Sequence, residues 1–220
     1  MKHIGGEGDA EISASADLCQ NTPMIDRRTK LMNAAIKQIA RKGTRGLRIE
    51  DVARAARVSP ALIYHHFGDR ATLLQSALEY IGTRANEYTR PHQGTGRDMV
   101  LSALLDEIQD DDAVRTNSAA WSELRDTAIF DHALRTTIAA LTERWVDDIA
   151  NLIHVGQQDG SIDLKVDRQA AAIRLSAFVE GISARWLTGQ VTATGARAHL
   201  AATTASVLNA NPVHGPTGSA

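Results

Sequence analysis

The chain has 220 residues, 43% of them hydrophobic and 23% charged, with a formal net charge of −2 at pH 7. That length buries a substantial core in one or two domains. No apolar run approaches the ~18 residues a membrane span needs, and the N-terminus lacks the apolar stretch of a signal peptide, so a cytoplasmic protein with no membrane partner is expected. A single cysteine, Cys19, leaves no partner for an intrachain disulfide and no metal cluster. The charge is segregated: residues 26–90 hold 13 Lys and Arg against 6 Asp and Glu, and the remainder 11 against 20. A basic N-terminal module attracts phosphate irrespective of base sequence, while an acidic remainder keeps the rest of the molecule off a polyanion.

In chain order, residues 1–24 are rich in Gly, Ser, Ala and Asp without a sustained apolar period and read as a disordered arm. A first helix is predicted over 26–42, with Leu31, Ala35 and Ile39 on one face and Gly43 as its stop. Ile49, Val52, Ala53 and Ala56 form the apolar stripe of a short second helix. Arg57, Val58 and Ser59 break that pattern, and Ser59-Pro60 starts a third helix: the Ser oxygen caps free amides, and Pro at the first position gives up no bond. This helix runs to about Phe67, burying Leu62, Ile63 or Phe67 and turning Ala61, Tyr64 and His65 outward. Two short helices around a tight turn are the helix-turn-helix geometry that fits a DNA major groove. A fourth helix follows over 69–88, with Leu73, Leu74, Ala77, Leu78, Ile81 and Ala85 inward. Pro91 and Gly94-Thr95-Gly96 mark the end of a DNA-binding domain over 25–90. Further helices are expected near 97–109, 113–126, 129–158, 167–188 and 193–208, with Asp159-Gly160-Ser161 closing the long one and Asp167 capping the next. Residues 91–208 form the second domain and 209–220 a loose tail. Nothing reads as a strand, so the fold class is all-α with about nine helices.

The pattern Asp51-Val52-Ala53, Val58-Ser59, Leu62-Ile63-Tyr64, His66-Phe67, Arg70 and Leu73-Leu74 resembles the DNA-binding domain of the tetracycline-repressor (TetR) family of bacterial regulators, over about residues 26–90. The remainder, from Trp121 through Val179 to Trp186, more loosely resembles the C-terminal domain of the branch that includes the choline-responsive regulator BetI. Two departures stand out. Arg57 occupies a turn position where the family usually has Gly, and Arg48 the position where Ser or Thr usually caps the first motif helix. Both replacements are cations, which fits an exchange of stability for phosphate attraction; chance substitution is the alternative. The resemblance implies a homodimeric repressor bound to a near-palindromic double-stranded operator and released by a small-molecule effector of unspecified identity. A regulator without a small-molecule switch is the alternative. Arg48, Ser59, Pro60, Ala61, Tyr64, His65 and Arg70 are the candidate DNA-contacting residues.

Small residues alternate with large ones along the last two helices, which the resemblance pairs with their copies in a second protomer. Leu175, Val179, Gly181, Ile182, Trp186, Leu200 and Ala201 are the candidate interface; core packing within one protomer is the alternative. Trp121, Arg125, Trp145 and Phe178 are candidate ligand contacts, because aromatics concentrated in one half of an aromatic-poor chain line an apolar pocket or cage an organic cation, with Glu180 or Asp148 adjacent. Arg125 and Arg174, if turned inward, favour an anionic ligand instead, and ordinary core packing is again an alternative. No metalloprotease, phosphate-loop or nucleophile-elbow pattern occurs, so neither an enzyme nor a bound cofactor or metal is expected.

Overall fold

A computed structural model describes residues 22–88 and 94–209, with side chains placed over 27–83 and 94–209. The expected arm at 1–24, Cys19, the Ala85 side chain, Pro91 and the tail beyond Asn209 lie outside the described residues. Among those described there are nine helices and no strand: α1 (Thr22–Lys42), α2 (Ile49–Ala56), α3 (Pro60–Phe67), α4 (Arg70–Tyr88), α5 (Gly96–Asp106), α6 (Asp112–Ala128), α7 (His132–Gln158), α8 (Arg168–Leu187) and α9 (Ala193–Asn209).

Local chemistry sets most boundaries. Gly43, at φ 71°, ends α1. Asp69, Asp111, Asp131 and Asp167 each accept a backbone N–H in the first turn of the helix that follows. Thr95 and Asp98 form a reciprocal capping box at the start of α5. Three ends differ from expectation. α1 begins at Thr22 rather than 26, because Thr-Pro is itself a start signal and Pro is tolerated in the first turn. α5 stops at Asp106 rather than 109: the Arg197 guanidinium donates to the carbonyls of Leu105 and Ile108, satisfying groups that another helical turn would have used. α7 begins at His132 rather than 129, since Asp131 caps it and leaves Ile129 and Phe130 as an exposed turn.

Arg57 closes α2 in the left-handed region, at φ 58° and ψ 48°, and its N–H donates to the carbonyl of Arg54. It is the one non-glycine residue with positive φ among those described. The side chain costs roughly 1 to 2 kcal/mol in this conformation. Arg57→Gly is expected to raise stability by about 1 kcal/mol, once the larger freedom of an unfolded Gly is subtracted. A urea midpoint that stays level or falls would contradict this.

Two hydrophobic cores organise the molecule. The first gathers Leu31, Ile36 and Ile39 of α1, Val52 of α2, Ile63 and Phe67 of α3, and Leu73 and Leu78 of α4, and it draws in Ala120, Leu124 and Ala128 of α6 with Leu134 of α7. The second is built by α5, α7, α8 and α9 around Leu104, Ile108, Ile149, Ile153, Leu175 and Leu200. α6 therefore joins the first core through Ala120, Leu124 and Ala128 and also packs on α7 and α8.

Candidate functional site

The first site is the surface of α3. Ser59 accepts the Leu62 N–H at 3.3 Å and Pro60 takes the first helical position. Ile63 and Phe67 are buried, Leu62 is half-buried, and the Arg28 guanidinium stands 5.5 Å over the Phe67 ring. With that face anchored, Ala61, Tyr64 and His65 are exposed. Arg48 precedes α2 with extended backbone and no capping hydrogen bond from its side chain, so its exposed guanidinium is not committed to the helix end. Asp51, an acid on α2, is neutralised locally. Lys42 bonds it at 2.7 Å and Arg54 at 3.1 Å, and the Lys42 hydrogen bond, against some desolvation, holds its carboxyl below the usual range.

Arg70 departs from expectation. Its guanidinium is turned onto the α1–α2 turn, donating from Nε to the Leu47 carbonyl at 3.4 Å and from Nη2 to the Thr44 carbonyl. Rather than a side chain extended freely toward phosphate, it is a brace between the start of α4 and the end of α1.

A latch that sequence reasoning missed lies behind that brace. Glu123 of α6 accepts the Thr44 N–H at 2.8 Å and the Thr44 hydroxyl at 3.1 Å, and the Thr44 and Thr127 hydroxyls stand 2.7 Å apart. Thr44 is buried. Partners 79 and 83 residues apart leave no local signal in the chain.

The second site is a cavity of about 100 Å³ between α4, α6, α7, α8 and the turn after α5. Trp121 and Arg125 of α6 and Trp145 of α7 line it, as expected. Phe178 does not: it packs half-buried against the second core, and the α8 residues that line the cavity are Ser176, Val179, Glu180 and Ser183. One position on a helix rotates the side chain by about 100°, enough to move it off the lining face. Arg125 pairs with Glu180 at 3.5 Å, so each cancels the other's charge. Asp148 is not a lining residue, and burial pushes its carboxyl above the usual range against the attraction of Arg144.

Three polar residues that sequence reasoning passed over also line the cavity: Glu107, Asn117 and Ser176. Each occupies a position in an apolar stripe. Glu107 follows Val100, Ala103 and Leu104 and precedes Ile108; Asn117 lies between Val114 and Ala120; Ser176 lies between Ala172 and Val179. A polar residue at an inward helical position is a legible sign of a site. Desolvation, with the charge of Asp106 second, pushes the Glu107 carboxyl up to about 7. The Ser176 Oγ is fully buried with no hydrogen-bond partner.

Of the candidate interface residues, Leu175, Val179, Ile182, Trp186 and Leu200 are buried within the protomer. Trp186 is further covered by Arg115, whose guanidinium stands 5.2 Å over the ring. They form the inward stripes of α8 and α9. The outward stripe carries Ile173, Ala177 and Gly181 on α8 and Ala198, Ala202 and Ala205 on α9, all exposed, with Ala201 half-buried beside them.

An exposed recognition helix on a basic helical module, carried by a second helical body with its own cavity, is the architecture of a helix-turn-helix transcriptional regulator. Comparison with known proteins agrees. The family profile described as bacterial regulatory proteins, tetR family, matches residues 31–77, and that of the BetI-type transcriptional repressor C-terminal domain matches residues 97–209. The chain belongs to the TetR family of bacterial transcriptional regulators, with a C-terminal half of the BetI type. It is similar to the regulator BetI of Pseudomonas aeruginosa (strain LESB58), 27% identical over 175 residues that cover 76% of this chain and 82% of BetI. A TetR-family regulator structure from Rhodococcus sp. is 42% identical, with a TM-score of 0.79 over 84% of this chain and all of that one. A regulator from Saccharomonospora viridis, solved in complex with choline, shares the fold at 24% identity and a TM-score of 0.69, over 80% of this chain and 93% of that one. These relatives are regulators of transcription. No helix among the described residues is long and apolar enough to cross a membrane.

Proposed function

We propose that the protein is a cytoplasmic homodimeric repressor whose paired α3 helices read a near-palindromic operator, and that a small-molecule effector entering the α6–α8 cavity releases it. One observation carries the reading. α6 presents Trp121 and Arg125 to the cavity and, between them in sequence, Glu123 to the α1–α2 turn of the DNA-binding module. Occupancy that shifts α6 therefore acts on Thr44, and through Arg70 on the start of α4. α6 is thus the first link between cavity and DNA-binding module, and α4 the second. A state in which the two recognition helices no longer match successive grooves is favoured by any ligand that binds it better. The choline held by the Saccharomonospora viridis relative supports a small effector.

Dimerisation is assigned to the outward stripe of α8 and α9, where small residues permit close helix approach. Nothing lies within 4 Å of a Cβ added at Gly181, so Gly181→Arg disturbs no packing within the protomer. It is expected to leave a folded monomer by sedimentation and, with the two half-sites uncoupled, to lower operator affinity by about a hundredfold. Selection from random duplex DNA should return an inverted repeat with half-sites roughly 34 to 36 Å apart. A substituted protein that remains dimeric, or selection of single half-sites, would overturn the assignment.

A further inference from the structure

We propose that the cavity is built for a small protonated amine, whose N–H groups reach Glu107, Asn117 and Ser176 while its apolar body lies against Trp121 and Trp145. The inference rests on reading this cavity as the effector site, and it names the effector's chemical class and the residue that selects it.

Charge accounting inside the cavity leaves one unbalanced group. Arg125 is occupied by Glu180 at 3.5 Å. Arg144 is an exposed lining residue whose charge acts on Asp148 of its own helix. Arg197 of α9, which reaches the turn after α5, has its guanidinium on the Leu105 and Ile108 carbonyls. Asp106 adds a second negative charge beside Glu107. No cation or hydrogen-bond donor offsets the desolvation of the Glu107 carboxyl. An anionic ligand therefore meets repulsion, and a cationic one supplies the missing counter-charge.

Hydrogen bonding narrows the class. Ser176 Oγ, fully buried and without a partner, and the buried Asn117 amide line the same cavity as the Glu107 carboxyl. A quaternary ammonium satisfies the charge but carries no N–H, so these groups stay unpaired, and unmet buried polar groups reject a ligand strongly. An amine with N–H donors meets both demands. The indoles of Trp121 and Trp145 favour an aromatic or flat apolar remainder and add attraction for the ammonium.

The pH dependence separates a cation from a neutral hydroxyl ligand. Glu107 must be ionised to pair with an ammonium, so affinity for an amine rises as pH climbs through about 7; a neutral alcohol bonding the protonated carboxyl shows the opposite slope. The probes are benzylamine, benzyltrimethylammonium, benzyl alcohol and benzoate, titrated into the full chain and followed by calorimetry and tryptophan fluorescence at about pH 6 and pH 8.5. Benzylamine is expected to bind most tightly, about tenfold better at the higher pH because only about a tenth of Glu107 is ionised at the lower, and about tenfold better than its trimethyl analogue. Glu107→Gln is expected to remove that pH dependence and most of the affinity. Its unliganded melting temperature should match or exceed the parent's, since a carboxylate kept unpaired for a ligand is a cost to the empty protein. Equal binding of the trimethyl analogue, preference for benzoate or benzyl alcohol, failure of benzylamine to bind, or a Glu107→Gln variant that binds like the parent overturns the amine assignment. Operator release by one of the other three probes would leave the effector cavity standing while the amine falls. Glu107-dependent binding of benzylamine without any change in operator affinity would leave the amine site standing and remove the effector reading.

Discussion

Gly96→Ala is expected to cost about 4 kcal/mol, a large fraction of the 5 to 15 kcal/mol that holds a domain together. A Cβ at this position would stand 2.1 Å from the Gly156 nitrogen, 2.4 Å from its Cα and 2.8 Å from the Val155 carbonyl carbon. All three are backbone atoms of α7, so no side chain can swing aside; the start of α5 has to lift away. That displacement breaks a set of short contacts made to the turn after α7. The Gly96 N–H donates to Asp159 at 2.7 Å, the Arg97 N–H to Ser161 Oγ at 3.1 Å, and Arg97 Nε to the Ser161 carbonyl at 2.9 Å. Overpacking a tight site costs typically ~1 to 3 kcal/mol and each hydrogen bond lost adds about 1. Gly156 makes room for a different neighbour, since a Cβ there would stand 2.5 Å from Ile162 Cδ1 and 3.1 Å from Ser161 Oγ. Urea denaturation read by circular dichroism gives the difference directly. A midpoint shift worth less than about 1 kcal/mol would show that α5 has another way to seat.

How much of this was legible in the sequence differs from element to element. The helix-turn-helix was, because its signals are local: Ser59-Pro60 caps and starts α3, and Arg57 adopts the left-handed conformation that its turn position demands. The pocket was legible in part. Trp121, Arg125 and Trp145 line it, but Phe178 lies one residue off the lining stripe of α8. The face of α8 and α9 that looks outward was not. Ala, Gly and Ser occur all round these helices, so the apolar period does not say which side holds the protomer's core; Leu175, Val179, Ile182 and Trp186 went to the inside, and Ile173, Ala177 and Gly181 to the outside. Gly94-Thr95-Gly96 reads as a boundary turn, whereas Gly96 is buried in the first turn of α5 for the sake of a backbone contact with a residue 60 positions further along. Arg70 and Glu123 depend on where a distant turn falls, which helical periodicity does not encode.

Glu123→Ala is expected to separate the two halves of the molecule functionally. In the native protein the Glu123 carboxylate takes both the N–H and the hydroxyl of Thr44, a residue only 2% exposed. Removing it strands a buried N–H, at about 1 to 3 kcal/mol. The local consequences fall on the turn that orients α2 and α3. Thr44 also offers its carbonyl to Arg70, and Gly43 meets Glu123 so closely that an added Cβ would lie 2.9 Å from Oε1. A turn freed from α6 leaves the recognition helix less firmly placed, so operator affinity should drop about 10-fold or more while the helical content is unchanged. Coupling between sites of this kind is worth about 1 to 3 kcal/mol, or 5- to 150-fold in affinity, and the alanine variant is expected to lose most of it, so that occupancy of the cavity no longer alters DNA binding. Glu123→Gln retains an oxygen for the Thr44 N–H and should keep both affinity and response near the parent's. Amide hydrogen exchange at Thr44 provides a reading independent of any ligand, with protection lost in the alanine variant and kept in the glutamine one. Parental operator affinity in Glu123→Ala would mean that the α1–α2 turn is held by Arg70 and its own core alone, and that the signal from the cavity travels through α4 instead.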